Sequence, residues 1–316
     1  MKIIAIEEHF STQESRAYFK PPVDDTARAD NKKNSHPIII DDLSEIEMRL
    51  ADMDKAGIDM QVLSLGPGIE QYDASLGASI ARSTNDKLAE VISKYPKRFA
   101  GFASIAPQDP KGAAKELERA VKKLNLKGVM IKSNIQGEYL DNKKYWIIFK
   151  TATQLGVPVY IHPKEPSPGM IKPYMDYPEL AGAMWGFGAE AGLHAMRLIC
   201  SGVFDKYPGL KIILGHLGEA IPFWLWRIDA RSVNNKYRKK PSQYFKDHFY
   251  VTTSGMSWQP ALQLVKTALS ADKVLFATDY PAESAEYAVQ VMNSVPFSNA
   301  DKAKIYYQNA EKLLNL

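Results

Sequence analysis

Residues 1–10 read Met-Lys-Ile-Ile-Ala-Ile-Glu-Glu-His-Phe, four apolar residues (Ile3–Ile6) running straight into Glu7, Glu8 and His9. A short unbroken apolar run of this kind predicts a strand buried on both faces. The arrangement recurs three times. Val157–Ile161 runs into His162-Pro163, Ile212–Leu214 into Gly215-His216 with Glu219 shortly after, and Val274–Ala277 into Thr278-Asp279. Four strand ends that deliver Glu, His, His and Asp predict one site at one end of a parallel barrel. Imidazole and carboxylate are the ligands that a divalent metal such as Zn²⁺ or Mn²⁺ accepts.

Working outward, eight strand-like runs can be read: Lys2–Ile6, Met60–Leu65, Phe99–Ile105, Gly128–Ile131, Pro158–Ile161, Lys211–Leu214, Tyr250–Thr253 and Val274–Ala277. Helical periodicity fills the gaps at Asp42–Gly57, Ala74–Tyr95, Pro110–Leu124, Tyr145–Leu155, Leu193–Lys206, Ala220–Asn235, Pro260–Ser270 and Glu283–Ser294. Strand–helix alternation through eight cycles predicts an α/β fold, a (β/α)₈ TIM barrel in one domain over residues 1–316. A doubly wound open sheet is the other arrangement with this rhythm. Two polar, proline-bearing stretches break it, Ser11–Asp41 after strand one and Lys164–Leu193 after strand five. Long connections of this kind lie at the C-terminal face of a barrel and predict the walls of a substrate pocket.

The side chains at the strand ends have bland readings too. Side chains alternate along an extended segment, so Glu7 and His9 share a side and Glu8 points elsewhere. A strand-end histidine such as His162 is often structural. His216 and Glu219 lie three apart and share a face if a helix starts there, although Glu219 also reads as a cap. Asp279 reads equally as a helix N-cap. Jointly they point to a shared metal or acid/base site. His36 reads as a surface residue, and His194 and His248 as packing or structural residues. Lys132, after strand four, reads as contact to an anionic substrate, as a carboxylated bridge between two metals, or as a solvated lysine. Arg227 reads as a partner for a carboxylate, within the chain or across an interface. The stretch Phe223-Trp-Leu-Trp226 reads as core or as interface.

Composition narrows the classes. Net charge is +4 from 40 basic and 36 acidic residues, and the longest basic cluster, Lys236–Lys240, is short. This balance gives no basis for a nucleic-acid surface. A single cysteine, Cys200, excludes an intrachain disulfide and a cysteine-based zinc site, and it reads as core. No apolar run approaches the roughly 18 residues of a membrane span. A soluble cytoplasmic protein is expected.

The segments IEEHF (6–10), YIHP (160–163), WGFGAEAGLHAMRLICSGVFDKYPGLKIILGHLGEAIPFWLWRID (185–229) and ATDYP (277–281) resemble, in order and spacing, the amidohydrolase superfamily. Within it they resemble the metal-dependent, non-oxidative aromatic-acid decarboxylases. Members act on 2,3-dihydroxybenzoate, 2,6-dihydroxybenzoate (γ-resorcylate) or 5-carboxyvanillate, and the segments IKSNIQGEYLD and GFGAEAGLH look nearest to the last. The resemblance implies metal ligands at Glu7, His9, His162 and Asp279, with His216 and Glu219 beside them. It implies one Zn²⁺ or Mn²⁺, no organic cofactor, a small aromatic acid as substrate, and a homodimer or homotetramer. Lys132 departs from it, since asparagine is expected there.

The chemistry then expected is loss of CO₂ from an ortho-hydroxylated ring. Asp279 protonates the carboxyl-bearing carbon, while His216 and Glu219 orient the carboxylate or hydroxyl. The same ligands also serve a hydrolase of a small ester, lactone or amide, with Asp279 as general base. A third, non-enzymatic reading is a barrel with a structural metal.

Overall fold

Strand β1 (Ile4–Ser11) is buried along its whole length, as its apolar start demands. The computed structural model describes residues 1–18, 38–66, 68–233 and 238–316. The remaining strands are β2 (Ile38–Ile39), β3 (Met60–Leu65), β4 (Phe99–Gly101), β5 (Val129–Lys132), β6 (Val159–His162), β7 (Ile212–Leu214), β8 (Phe249–Thr252) and β9 (Val274–Leu275). All pairings are parallel. The ladders run β2-β1-β3-β4 and β5-β6-β7-β8-β9.

Two bridges join these ladders into a ring. Ala103 bridges Val129, with Ala103 N–H donating to Gly128 O at 2.8 Å. Glu8 bridges Tyr280, with His9 N–H donating to Tyr280 O at 2.7 Å and Asp279 N–H to Glu7 O at 3.1 Å. Eight strands therefore close on themselves, and β2 only extends one edge of β1. The barrel expectation is met and the open sheet is not.

Alternation divides the core in two. Ile4, Ile6, Val62, Phe102, Met130, Tyr160, Ile213 and Leu275 fill the interior of the ring. The intervening residues, including Ala5, Leu63, Ile131, Ile161, Ile212 and Leu214, pack outward beneath the helices. Each such side chain, fully buried, is worth about 1.5–3 kcal/mol.

The helices follow local chemistry. Leu43–Ala56 starts at Asp42, whose carboxylate accepts Ser44 N–H, and stops at Gly57 with φ 71°. Pro110–Leu124 starts at Asp109 with proline in its first turn. Trp146–Leu155 ends at Gly156 with φ 68°, a left-handed position that glycine takes without steric cost.

Several expectations need revision. The helix read as starting at Leu193 runs Gly186–Ser201, so the connection after β6 ends at Trp185. Cys200 is exposed, because it falls outside the stripe of Glu190, Ala191, His194, Ala195, Leu198 and Ile199 that faces the core. Of Phe223, Trp224, Leu225 and Trp226 only Leu225 is buried. Most of the connection after β1, His36 included, lies outside the described residues, as do two residues of the basic cluster. Among the described residues no helix is long and apolar enough to cross a membrane.

Candidate metal centre

At the C-terminal end of the ring, one ligand atom each from Glu7, His9, His162 and Asp279 lies within 4.8 Å of the others. The pairing of β1 with β3 shifts register between Ala5 and Glu8. A bulge of this sort re-aims side chains, and Glu7 and His9 leave β1 on the same side. His9 Nε2 is 3.0 Å from His162 Nε2 and 3.2 Å from Asp279 Oδ1, and His162 Nε2 is 3.3 Å from Glu7 Oε1. These separations match the edges of a polyhedron with metal–ligand bonds of about 2.0–2.2 Å.

Three observations fit a cation here. Glu7 Oε1 is buried and, among the described residues, has no hydrogen-bond partner. The other oxygen, Oε2, takes hydroxyl donors from Tyr160, Ser254 and Thr252, the last at 2.9 Å. One oxygen is thus saturated while the other faces the imidazoles bare, at a cost unless a cation meets it. Each imidazole is also held from behind. His9 Nδ1 meets Ser64 Oγ at 3.1 Å, and His162 Nδ1 meets Pro163 O at 2.7 Å. That leaves both Nε2 atoms turned toward each other, the usual disposition of metal-binding histidines. Burial, and then the positive charge of Lys132, hold His162 well below the usual histidine range. It is therefore neutral, the form that binds metal.

His216 stands beside this group. Its Nδ1 is 2.8 Å from Glu219 Oε1, and its Nε2 is 3.6 Å from Asp279 Oδ2. The turn that carries it is strained. His216, Leu217, Glu219 and Ala220 all have φ between 48° and 63°, at about 1–2 kcal/mol for each non-glycine residue. Strain of this kind gathers at functional sites. Burial opposes charge on His216, but the Glu219 and Asp279 carboxylates prevail and hold its pKa well above the ordinary value. Burial would likewise raise Asp279, but hydrogen bonds from His216 and His9 outweigh it and keep this carboxyl below its usual range. Burial raises Glu219, against the pull of His216.

Lys132 pairs in register with His162, and its Nζ lies 2.8 Å from His162 Nδ1, the nitrogen that also meets Pro163 O. Burial brings its pKa down to about 8. An ammonium carries three donors. With the proton of His162 Nδ1 given to Pro163 O, that nitrogen cannot also accept from Lys132, so among the described residues the Nζ donors are unfilled. Beside it, Glu70 accepts the Lys132 backbone N–H at 2.7 Å, and its second oxygen is buried without a partner among the described residues. Arg227 is exposed and makes no hydrogen bond or ion pair among the described residues.

His194 is buried and accepts Leu140 N–H at 3.1 Å, and His248 stacks on Phe204 with centroids 4.4 Å apart. Both are structural, as read from the sequence. Tyr160, Thr252 and Ser254, the hydroxyl clamp on Glu7, were not anticipated. Period two supplied a signal, since Tyr160 shares a face with His162, and Thr252 with Ser254.

A family model described as Amidohydrolase matches residues 36–316. A γ-resorcylate decarboxylase of Polaromonas sp. (strain JS666) is 39% identical, over 99% of this chain and 98% of its own length. A dihydroxybenzoic acid decarboxylase structure from Polaromonas sp. JS666, with bound manganese and the inhibitor 2-nitroresorcinol, superposes with TM-score 0.88. It is 37% identical and covers 100% of this chain and 97% of its own. The 5-carboxyvanillate decarboxylase of Sphingomonas paucimobilis superposes with TM-score 0.87 at 35% identity, covering 100% and 99%.

Proposed function

The chain belongs to the amidohydrolase family, and on that premise we propose that it is a metal-dependent, non-oxidative decarboxylase of an ortho-hydroxylated aromatic acid, dihydroxybenzoate- or 5-carboxyvanillate-like. One observation carries the reading: Glu7, His9, His162 and Asp279 converge within 4.8 Å around a bare, buried carboxylate oxygen. These four would hold one Zn²⁺ or Mn²⁺, with no organic cofactor. When bound, such an ion would supply Lewis-acid chemistry to the substrate carboxylate and ortho oxygen and would lower the phenol pKa.

The protein's own part is a proton and its placement. Before substrate arrives the proton sits on His216, between Glu219 and Asp279. A substrate dianion beside Asp279 makes that carboxylate more basic, so the proton passes to Asp279 Oδ2. Asp279 delivers it to the carboxyl-bearing ring carbon. A C–H bond forms, the C–C bond to the carboxylate breaks, and CO₂ leaves as the ring regains aromaticity. His216, with Glu219 behind it, orients the substrate carboxylate or hydroxyl. Lys132 offers its unfilled donors to a substrate oxygen. Arg227 is a further candidate for substrate contact, through a neighbouring chain. The enzyme is read as one barrel domain, 1–316, acting in the cytoplasm as a homodimer or homotetramer.

The test incubates Mn²⁺-loaded protein with a panel of ortho-hydroxybenzoates and follows CO₂ release, with ester and lactone hydrolysis in parallel. CO₂ release from at least one member, at a rate that falls when Mn²⁺ is withdrawn, is expected. Hydrolysis without CO₂ release would sink the reading in favour of a hydrolase.

A further inference from the structure

Behind the four candidate ligands lies a second set of buried polar groups, turned away from them. Glu8 Oε1 accepts Thr278 N–H at 2.9 Å, and Oε2 accepts the Thr278 hydroxyl at 2.7 Å and the Gln61 amide at 3.2 Å. Gln61 Oε1 accepts Arg49 Nη1 at 2.7 Å, and Nη2 of the same guanidinium donates to the carbonyl of His9. The guanidinium carbon lies 4.8 Å from the centre of the Tyr280 ring. The Tyr280 hydroxyl donates to Asp52 at 2.7 Å, one turn along the helix that carries Arg49.

Arg49 is 1% exposed. A buried arginine costs several kcal/mol unless its donors are used, and the places where these are used form a pattern. One goes to His9 on β1 and one to Gln61 on β3, which links to Glu8, while the guanidinium lies over the Tyr280 ring of the segment that meets β1. That join has one bridge, Glu8 to Tyr280, and three main-chain hydrogen bonds: Ile6 N–H to Phe276 O at 3.1 Å, His9 N–H to Tyr280 O at 2.7 Å and Asp279 N–H to Glu7 O at 3.1 Å. His9 and Asp279 stand on opposite sides of it, 3.2 Å apart. Main-chain bonds hold the two segments together, and the side chains around Arg49 brace both from behind.

We propose that Arg49 is a positioning residue of the metal centre: without reaching a ligand atom, it sets the affinity for the divalent ion by holding the His9 carbonyl and, through Gln61 and Glu8, the Thr278–Tyr280 segment. This rests on the four-ligand reading above.

Chelator-stripped protein is titrated with Mn²⁺, and free ion is followed by its EPR signal, which gives Kd without turnover. The parent binds one Mn²⁺ per chain, and Glu7→Gln binds it far more weakly. Arg49→Lys is expected to raise Kd about 10- to 100-fold, the range for groups that support ligands from behind, and to broaden the spectrum of the bound ion. Gln61→Met, which removes only the link between Arg49 and Glu8, is expected to raise Kd severalfold. A lower melting temperature of the stripped Arg49→Lys protein with an unchanged Kd overturns the proposal and leaves Arg49 a plain stability residue. If Arg49→Lys does not fold, Gln61→Met decides: an unchanged Kd overturns the proposal, and a raised one supports it. A parent that binds no Mn²⁺, or binds it no better than Glu7→Gln, brings down the ligand reading itself.

Discussion

In the proposed mechanism Asp279 would be ligand, partner of His216 and proton donor at once, and its backbone has a φ of 69°. Its environment keeps it ionised until substrate arrives, so replacement of the carboxyl should remove the proton transfer while leaving an oxygen ligand in place. Asp279→Asn is expected to lose about 10²- to 10⁴-fold in decarboxylation, the range for general acid catalysis, measured as CO₂ release at saturating Mn²⁺. Turnover within tenfold of the parent would remove Asp279 from the donor role. At this scale the sequence was informative where side-chain type and period two suffice. Glu7 and His9 share a side and Glu8 turns away; His216 does pair with Glu219, but across a left-handed turn and not on the helical face the sequence suggested. For the hydroxyl clamp it gave the faces but not the convergence. Tyr160, Thr252 and Ser254 come from two strands, and nothing local says that their hydroxyls meet on one oxygen of Glu7.

Among the elements, the helix Gly186–Ser201 differs most from expectation. Its first turns, Gly-Phe-Gly-Ala, read as a loop because glycine disfavours a helix by about 1 kcal/mol. Tertiary contact explains Gly188 and, further along, Gly192: a Cβ on Gly188 would lie 3.1 Å from Glu219 Oε2, and one on Gly192 3.2 Å from Glu219 O. The helix therefore lies close to the residue that supports His216. Its His194 is neutral in the fold, since burial and then Arg197 push its pKa down to about 3. In the unfolded chain it titrates near 6.5. The stability it contributes is whole above pH 6.5 and is lost as pH falls toward 3, at up to about 1.4 kcal/mol per unit. Urea midpoints between pH 7 and pH 4 should fall less steeply in His194→Gln than in the parent. Parallel slopes would show that His194 is not the group responsible.

The whole barrel is closed at β1 and β9 by one bridge and three main-chain hydrogen bonds, with candidate ligands on both sides. An ion shared across that join binds only the folded state. Mn²⁺ at about a hundred times its Kd is expected to stabilise the protein by about 2.7 kcal/mol, a rise of several degrees in melting temperature. Glu7→Gln should abolish the rise. A melting temperature indifferent to Mn²⁺ and to chelator would mean that no ion bridges the join.

The sequence by itself determined the eight-cycle rhythm, the strand ends that bear the ligands, and hence the face on which they meet. Those are local matters, since apolar runs and helical periods are written in neighbouring residues. Only the tertiary structure decided which ends touch: that Glu7 keeps one bare oxygen, that Lys132 lies against His162, and that Arg49 reaches the carbonyl of His9. These depend on ring closure, which brings residue 9 beside residue 279 and residue 49 beneath both. No local pattern encodes a contact that the chain makes only by returning to its start.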